Sequence, residues 1–223
     1  MPAHSIRSAR PVPAVVENMP DRGLEGDRVR LVGVTRGFRR GQEIFGEGER
    51  ADHVYSVISG AVRAFRVLSD GRRQISDFYL PGDVFGVEPG PDHGGSAEAV
   101  DDAWLIVARR SAVTDEGDGV MARRLWRLAV ADLKRSQDHA LTLGCRNACE
   151  RVASFLNDLA QRRGGGAAVD LPMSRQDIAD YLGLTIETVS RTLTQLQIAG
   201  LIRLNGRRTV EFRRPRALVD LCL

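Results

Sequence analysis

Residues 173–196 constrain the fold most, because they combine two helix starts with a glycine between them. Ser174 lies three residues before Asp177, a spacing that predicts a capped helix start with a negative charge in its first turn. Gly183 falls where a turn of about three to four residues would reverse the chain. Thr185 then stands in position to cap a second helix. The segment therefore predicts a helix-turn-helix.

The second helix of this motif has two different faces. Val189, Leu193 and Leu196 recur at the spacing of a buried stripe. The opposite side is exposed near the N-terminal half, which is the part of a recognition helix that contacts base edges in the major groove of double-stranded DNA. We expect base contacts from Ile186, Glu187, Ser190 and Arg191. A surface ion pair between Glu187 and Arg191 is the alternative interpretation.

A basic hairpin is predicted after the helix-turn-helix. Residues 201–204 and 209–212 flank Asn205 and Gly206, a pair that strongly favours a tight hairpin turn. A wing of this kind places arginines where they contact DNA phosphates. We expect phosphate contacts from Ser174, Arg175, Thr185, Thr188, Arg203, Arg207 and Arg208. The whole module is then a winged helix-turn-helix.

Residues 34–110 follow a different pattern, in which short segments alternate with glycines. Segments such as 55–58 and 62–67 are rich in β-branched and aromatic residues, as strands are. Asp70 and Gly71 supply the positive φ that a tight hairpin between two strands requires. This part of the chain predicts an N-terminal β-roll of antiparallel strands.

Between these two parts, residues 119–143 predict one long amphipathic helix, because apolar residues recur at spacings of three and four without proline or internal glycine. Such a helix is about 37 Å long, more than a small roll needs to cover its core. We expect its spare apolar stripe to pack against a second copy of the chain. The predicted dimerisation residues are Val120, Met121, Leu125, Leu128 and Leu133. Packing of the whole helix on its own roll is the alternative.

These patterns predict an α+β chain. Its four predicted segments are a flexible lead-in at 1–33, the β-roll at 34–110, the dimerisation helix at 111–145 and the winged helix-turn-helix at 146–223. The last segment carries 12 arginines against eight acidic residues, whereas the net charge of the whole chain is +3. A basic end on a near-neutral body favours a polyanionic partner.

Composition also predicts the location of the protein. The longest apolar run, residues 103–108, is far shorter than the roughly 20 residues of a membrane span. The N-terminus lacks the apolar core of a secretory signal. Three cysteines are too few for a secreted disulfide framework. We expect a cytoplasmic protein that crosses no membrane.

The order of β-roll, long helix and winged helix-turn-helix resembles the Crp/Fnr family of bacterial transcription regulators over residues 34–212. The segment Glu187-Thr-Val-Ser-Arg191 is similar to the Glu-x-x-Ser-Arg signature of the Fnr and FixK branches, and the wider segment 177–191 is most similar to FixK proteins. The roll segments that carry the resemblance are 40–45, 55–60 and 80–86. The resemblance implies a jelly roll of the cyclic-nucleotide-binding type.

The roll departs from the family members that bind cyclic AMP. Those members place a glutamate directly after the glycine of the Phe-Gly turn and an arginine before a Ser/Thr-Ala pair. Here Val87 follows Gly86, and Gly95 precedes Ser96. Without that guanidinium the site lacks its strongest charge-assisted contact to a cyclic phosphate. We therefore expect no cyclic nucleotide binding.

Other cofactors of the family also lack their ligands in this sequence. The iron-sulfur cluster of Fnr needs four cysteines, and this chain has none before Cys145. Cys145 and Cys149 are two ligands of a metal site or, as the alternative, small buried helix residues. His53 or His93 is an axial haem ligand or, as the alternative, an ordinary surface or core histidine. We expect no metal and no cofactor.

The resemblance implies a homodimeric activator that binds a palindrome similar to TTGAT-N4-ATCAA and contacts RNA polymerase. Its implied targets are genes for low-oxygen respiration or nitrogen fixation. No nucleophile elbow, phosphate loop or supported carboxylate pair occurs in the sequence, so we expect no enzyme activity and no catalytic residue. The alternative is an effector-gated regulator that binds haem or another small ligand in the β-roll.

Overall fold

A computed structural model of the protein describes residues 31–111, 119–206 and 208–221. The chain divides into two compact units. The first comprises Met1–Ala64 and Phe78–Trp126, and the second comprises Phe65–Asp77 and Arg127–Leu223. The predicted lead-in at 1–33 lies outside the described residues except for residues 31–33.

The β-roll predicted from the sequence is confirmed, and its described strands form two four-stranded sheets. Strand β8 pairs antiparallel with both β1 and β3. The sheet orders are β1-β8-β3-β6 and β2-β7-β4-β5. The strands are β1 (Val34–Phe38), β2 (Glu43–Phe45), β3 (His53–Ser59), β4 (Val62–Val67), β5 (Arg73–Tyr79), β6 (Val84–Phe85), β7 (Ser96–Ala99) and β8 (Ala103–Arg109).

An aromatic cluster forms the centre of the roll. The ring of Tyr55 lies 5.4 Å from that of Phe45 and 5.1 Å from that of Phe85, measured between centroids. All three rings are buried, and their burial drives closure of the roll. Gly60, between β3 and β4, has a φ of 78°, and a Cβ there would lie 2.6 Å from the carbonyl oxygen of Asp102. Only glycine fits this turn.

Five described helices follow the roll, together with the three strands of a small sheet. The long helix predicted for 119–143 is present and ends at Cys145. No helix among the described residues is long and apolar enough to span a bilayer. The elements are α1 (Gly119–Cys145), α2 (Ala148–Arg162), β9 (Ala168–Asp170), α3 (Arg175–Leu182), α4 (Ile186–Ile198), β10 (Ile202–Asn205), β11 (Thr209–Phe212) and α5 (Pro215–Asp220).

The second unit has its own core around α2, α3 and α4. Leu156, Leu182 and Leu193, one from each helix, are almost completely buried. Asn147 caps α2, since its Oδ1 accepts hydrogen bonds from the backbone N–H groups of Cys149 and Glu150. The antiparallel strands β10-β11-β9 complete the winged helix-turn-helix predicted from the sequence.

Candidate nucleic-acid interface

Helix α3, the first helix of the helix-turn-helix, starts at the predicted cap. The Ser174 hydroxyl accepts a hydrogen bond from the N–H of Asp177 at 3.1 Å, and the Asp177 carboxylate accepts from the N–H of Ser174 at 2.9 Å. The Ser174 hydroxyl also donates to Asp177 Oδ2 at 2.7 Å. Its proton is therefore engaged within the helix start, which leaves backbone N–H groups and Arg175 as the donors for a phosphate here.

Arg175 follows directly as the first residue of α3. Its side chain is half-buried, and burial lowers the pKa of the guanidinium from its usual value. An arginine stays charged at neutral pH despite such a shift. The helix start thus combines a full positive charge with the partial positive charge of the helix dipole.

The turn between the two helices depends on Gly183. Its φ of 62° and ψ of 40° are left-handed, and its N–H donates to the carbonyl oxygen of Ala179. A Cβ at this position would meet no atom closer than 3.6 Å. Glycine is therefore required by the backbone conformation rather than by space.

Helix α4 presents the four residues predicted to contact bases. Thr185 caps the helix, since its hydroxyl accepts from the N–H of Thr188 at 3.2 Å. Val189 and Leu193 are buried beneath it, as predicted. The structure brings together on the exposed surface Ile186, Glu187, Ser190 and Arg191. Glu187 lies in the first turn, where its negative charge interacts favourably with the helix dipole.

The wing is a hairpin of β10 and β11 in which Asn205 pairs with Thr209. The first strand thus extends through Asn205, and Gly206 follows with a φ of 68°. Arg203 and Arg208 are exposed, in keeping with their predicted phosphate contacts. Arg207 lies outside the described residues.

The residue that attaches the wing to the recognition helix was not predicted from the sequence. The side-chain oxygen of Gln197, near the end of α4, accepts a hydrogen bond from the N–H of Leu204 at 2.9 Å. At its other edge the wing is joined to β9, where the Thr209 hydroxyl donates to Asp170 at 2.6 Å. Arg203, on β10, and Arg208, in the turn before β11, are therefore carried by a hairpin that is fastened on two sides.

Helix α1 carries an exposed apolar stripe. Trp126 is 71 % exposed, Val130 46 % and Leu133 58 %, and their spacings of four and three match the seam of a two-helix coiled coil. Leu141 is also exposed, at 60 %. Of the predicted dimerisation residues, Leu133 belongs to this stripe. Leu128 is half-buried, and the side chains of three others lie outside the described part of the chain: Val120, Met121 and Leu125.

The roll positions that differ from cyclic-nucleotide binders carry no charge in the structure. Val87 is exposed, and Gly95 has no side chain. Between them, the buried ring of His93 lies flat against Phe45, with centroids 3.5 Å apart and planes 7° apart. Its Nδ1 lies 3.4 Å from Glu88 Oε1. The carboxylate one position after Val87 thus faces a histidine of its own chain.

The described histidines and cysteines do not form a metal-binding cluster. Among the residues that the structure describes, no group of three or more His, Cys, Asp or Glu side chains has the geometry to hold a metal ion. Cys149 is half-buried, and the side chain of Cys145 is outside the described part. His53 lines an open hollow of about 800 Å³ in the first unit, together with Arg50, Arg109 and Arg110.

Comparisons with known proteins agree with this geometry. Residues 35–116 match the cyclic nucleotide-binding domain, and residues 150–221 match the Crp-like helix-turn-helix domain. The chain is 43 % identical to the nitrogen fixation regulation protein FixK of Rhizobium meliloti, over 98 % of this chain and 99 % of that protein. It is 46 % identical to FixK of Azorhizobium caulinodans, over 94 % and 90 %.

A solved structure is similar along most of its length. FixK2 from Bradyrhizobium japonicum superposes with a TM-score of 0.84 and 45 % identity, covering 86 % of this chain and 98 % of that one. These relatives are transcription regulators, which are not enzymes. This chain is therefore a transcription regulator with a helix-turn-helix DNA-binding domain, and it belongs to the FixK branch of the Crp/Fnr family.

Proposed function

We propose that the chain binds a palindrome similar to TTGAT-N4-ATCAA as a homodimer, with one α4 helix in the major groove of each half-site. The observation that carries this proposal is the exposed N-terminal half of α4, where Ile186, Glu187, Ser190 and Arg191 share one surface. Recognition helices contact base edges with this part, and two-fold dimers bind half-sites about one helical turn apart.

The chemistry of these side chains suits the half-site. The guanidinium of Arg191 matches the O6 and N7 acceptors of the one guanine, and Glu187 accepts from the amino group of its cytosine or holds the guanidinium in place. Ser190 and Ile186 remain for the thymine edge and its methyl group. Arg203, Arg207 and Arg208 in the wing supply phosphate contacts that carry no sequence preference.

The exposed stripe on α1 supports the homodimer. Trp126, Val130 and Leu133 are exposed apolar side chains on one face of a single helix, and Leu141 lies on the same face two turns further on. Patches of this kind mark interaction sites in soluble proteins, and pairing with an identical stripe buries both copies at once. Leu128, which is half-buried, lies two residues from both Trp126 and Val130 and is therefore on the opposite side of the helix from this stripe.

The proposal includes activation of genes for low-oxygen respiration or nitrogen fixation through contact with RNA polymerase. Support comes from the two FixK relatives, which are named for regulation of nitrogen fixation. A regulator of this type acts in the cytoplasm, where the bacterial chromosome lies. We further propose that DNA binding needs no small ligand, since Val87 and Gly95 replace the two cyclic-nucleotide contacts.

A second candidate function is effector-gated DNA binding. The hollow lined by His53, Asp52 and three arginines is the feature that favours it, because arginine guanidinium groups bind anionic ligands. A visible absorption spectrum of the purified protein detects haem directly. DNA binding that appears only after a small molecule is added supports this candidate over ligand-free binding.

Selection of bound duplexes from a random pool tests the primary proposal. Purified protein without added nucleotide should enrich a palindrome with TTGAT half-sites, and sedimentation should show a dimer on that duplex. Enrichment of an unrelated sequence contradicts the proposed operator. Enrichment of single half-sites by a monomer contradicts the proposed dimer.

A further inference from the structure

One side chain of the β4–β5 hairpin ties together two carboxylates of the first helix of the helix-turn-helix. Arg73 Nη2 donates to Asp177 Oδ1 at 2.7 Å and to Asp180 Oδ2 at 2.8 Å, and Arg73 Nε donates to the same Asp180 oxygen at 3.0 Å. All three residues lie in the second compact unit, although Arg73 precedes the helix by about a hundred residues.

The cluster is screened from water. The side chain of Asp177 is 5 % exposed, that of Asp180 14 % and that of Arg73 27 %. The guanidinium also lies over the ring of Phe65, 5.7 Å from its centroid. A buried carboxylate that loses its cation is strongly unfavourable, so Arg73 holds both acidic side chains in one geometry.

Asp177 links this cluster to the helix start. Its Oδ1 accepts from Arg73, while its Oδ2 accepts from the N–H and hydroxyl of Ser174. The same carboxylate therefore closes the capping box of α3 and receives the hairpin arginine. A second contact fastens the hairpin to α3, since the Gln74 amide donates to the carbonyl oxygen of Tyr181 at 3.4 Å.

The location of this charge matters for DNA. The first helix of a helix-turn-helix crosses the DNA backbone, and a helix N-terminus attracts phosphate. Two carboxylates in the first turns of α3 oppose a phosphate at this end unless a cation offsets them. Arg73 supplies that cation from outside the helix-turn-helix and orients the cap beside Arg175.

We propose that Arg73 is a positioning residue for DNA binding, which acts through Asp177 and Asp180 and does not itself contact bases. The proposal rests on the proposed DNA-binding surface of α3 and α4. It predicts that the hairpin arginine sets the affinity for phosphate at the start of α3, while base preference stays with α4.

The test compares Arg73→Met with Arg72→Met in the full-length protein. Arg72 is the matched control, because it lies next to Arg73 on the same hairpin, is 77 % exposed and pairs with Asp70. Both variants remove one positive charge. Arg73→Met should weaken binding to the selected duplex by about ten- to a hundredfold, whereas Arg72→Met should change it by about twofold or less.

A charge rescue separates positioning from general destabilisation. Adding Asp180→Asn to Arg73→Met removes one of the two carboxylate charges that the lost guanidinium had offset, so affinity should recover in part. Arg73→Lys keeps the charge but loses the two-pronged geometry, and it should bind with an affinity between those of the wild type and Arg73→Met. This milder variant also provides the comparison if Arg73→Met does not fold.

Hydrogen exchange gives a readout that needs no DNA. Amides in the first turn of α3 should exchange faster in Arg73→Met, or in Arg73→Lys, than in Arg72→Met. Equal affinity and equal exchange in the Arg73 and Arg72 variants overturn the proposal. So does a loss of affinity that Asp180→Asn fails to relieve and that follows the loss of thermal stability. If the wild type selects a different duplex, the operator is wrong, and the same comparison is made on the duplex selected.

Discussion

The guanidinium of Arg151 donates a hydrogen bond to the carbonyl oxygen of Leu182 at 3.0 Å, across 31 residues of sequence. Its other terminal nitrogen donates to the carbonyl oxygen of Leu143 at 2.7 Å, and its Nε donates to that of Arg146 at 2.8 Å. One side chain in α2 thus satisfies carbonyl groups at the ends of α1 and α3, which have no partner within their own helices.

We expect Arg151→Ala to lower the free energy of unfolding by about 1–3 kcal/mol, because carbonyl groups at two helix ends lose their donor. Urea denaturation followed by circular dichroism measures the change. Arg163→Ala is the control, since Arg163 is an exposed residue just after α2. Equal unfolding midpoints for the two variants show that water replaces the Arg151 donor without cost.

A second prediction separates base contact from phosphate contact. Arg191→Ala should weaken binding to the TTGAT palindrome by about 1–3 kcal/mol and relax the preference at its G·C pair. Arg208→Ala in the exposed wing should weaken all duplexes alike and reduce the salt slope by about one unit. Titrations of both variants against duplexes with and without the G·C pair provide the measurement. An equal loss on both duplexes for Arg191→Ala assigns Arg191 to phosphate.

The helix-turn-helix was predictable because its signals are local. Ser174, Gly183 and Thr185 each fix a backbone conformation within a few residues, and the buried stripe of α4 follows from spacing alone. The contact of Arg73 with Asp177 has no such signal, because 104 residues separate the partners and neither lies in an unusual sequence context. Only the fold of the hairpin brings them together.

The side of α1 that carries the exposed apolar stripe could not be predicted from the sequence. Spacings of three and four occur on more than one side of this helix, so periodicity alone does not say which side faces its own chain. Leu128 and Leu133 were predicted for the same seam, but the structure leaves Leu133 exposed and Leu128 half-buried. Trp126 and Val130 were missed for the same reason.

A third prediction tests the dimer stripe. Leu133→Glu places a charge in the middle of the exposed stripe, so its burial against a second copy becomes unfavourable. We expect a monomer that binds the palindrome weakly, because the second half-site no longer contributes. Ala131→Glu adds the same single charge at an exposed residue on a different side of the same helix, so it is the control and should remain a dimer. Sedimentation velocity distinguishes monomer from dimer for both variants. If Leu133→Glu remains a dimer, the dimer interface does not include this stripe.

A fourth prediction uses two glycines at which an added Cβ would clash with no neighbouring atom. Gly183→Ala forces an alanine into the left-handed conformation and should lower the free energy of unfolding by about 1–2 kcal/mol. Gly144→Ala, in the last turn of α1 and with no atom within 4 Å of the added Cβ, should raise it by a few tenths to about 1 kcal/mol. Thermal unfolding should therefore show a lower midpoint than the wild type for Gly183→Ala and a higher midpoint for Gly144→Ala. A destabilised Gly144→Ala contradicts the helical account of that position.

The last prediction concerns His139, which is stacked on Tyr181 with ring centroids 4.0 Å apart. Burial lowers the pKa of His139 from its usual value, and its Nε2 is a buried atom with no hydrogen-bond partner among the described residues. Because the folded-state pKa lies below the unfolded-state value of about 6.5, the unfolded chain takes up the proton first as the pH falls. The stability contributed by neutral His139 is therefore present above about pH 6.5 and is lost as the pH drops toward the folded-state pKa. Urea midpoints measured between pH 7.5 and 5.5 should fall more steeply in the wild type than in His139→Gln, which cannot take up that proton. Parallel curves for the two proteins assign the acid sensitivity to other groups.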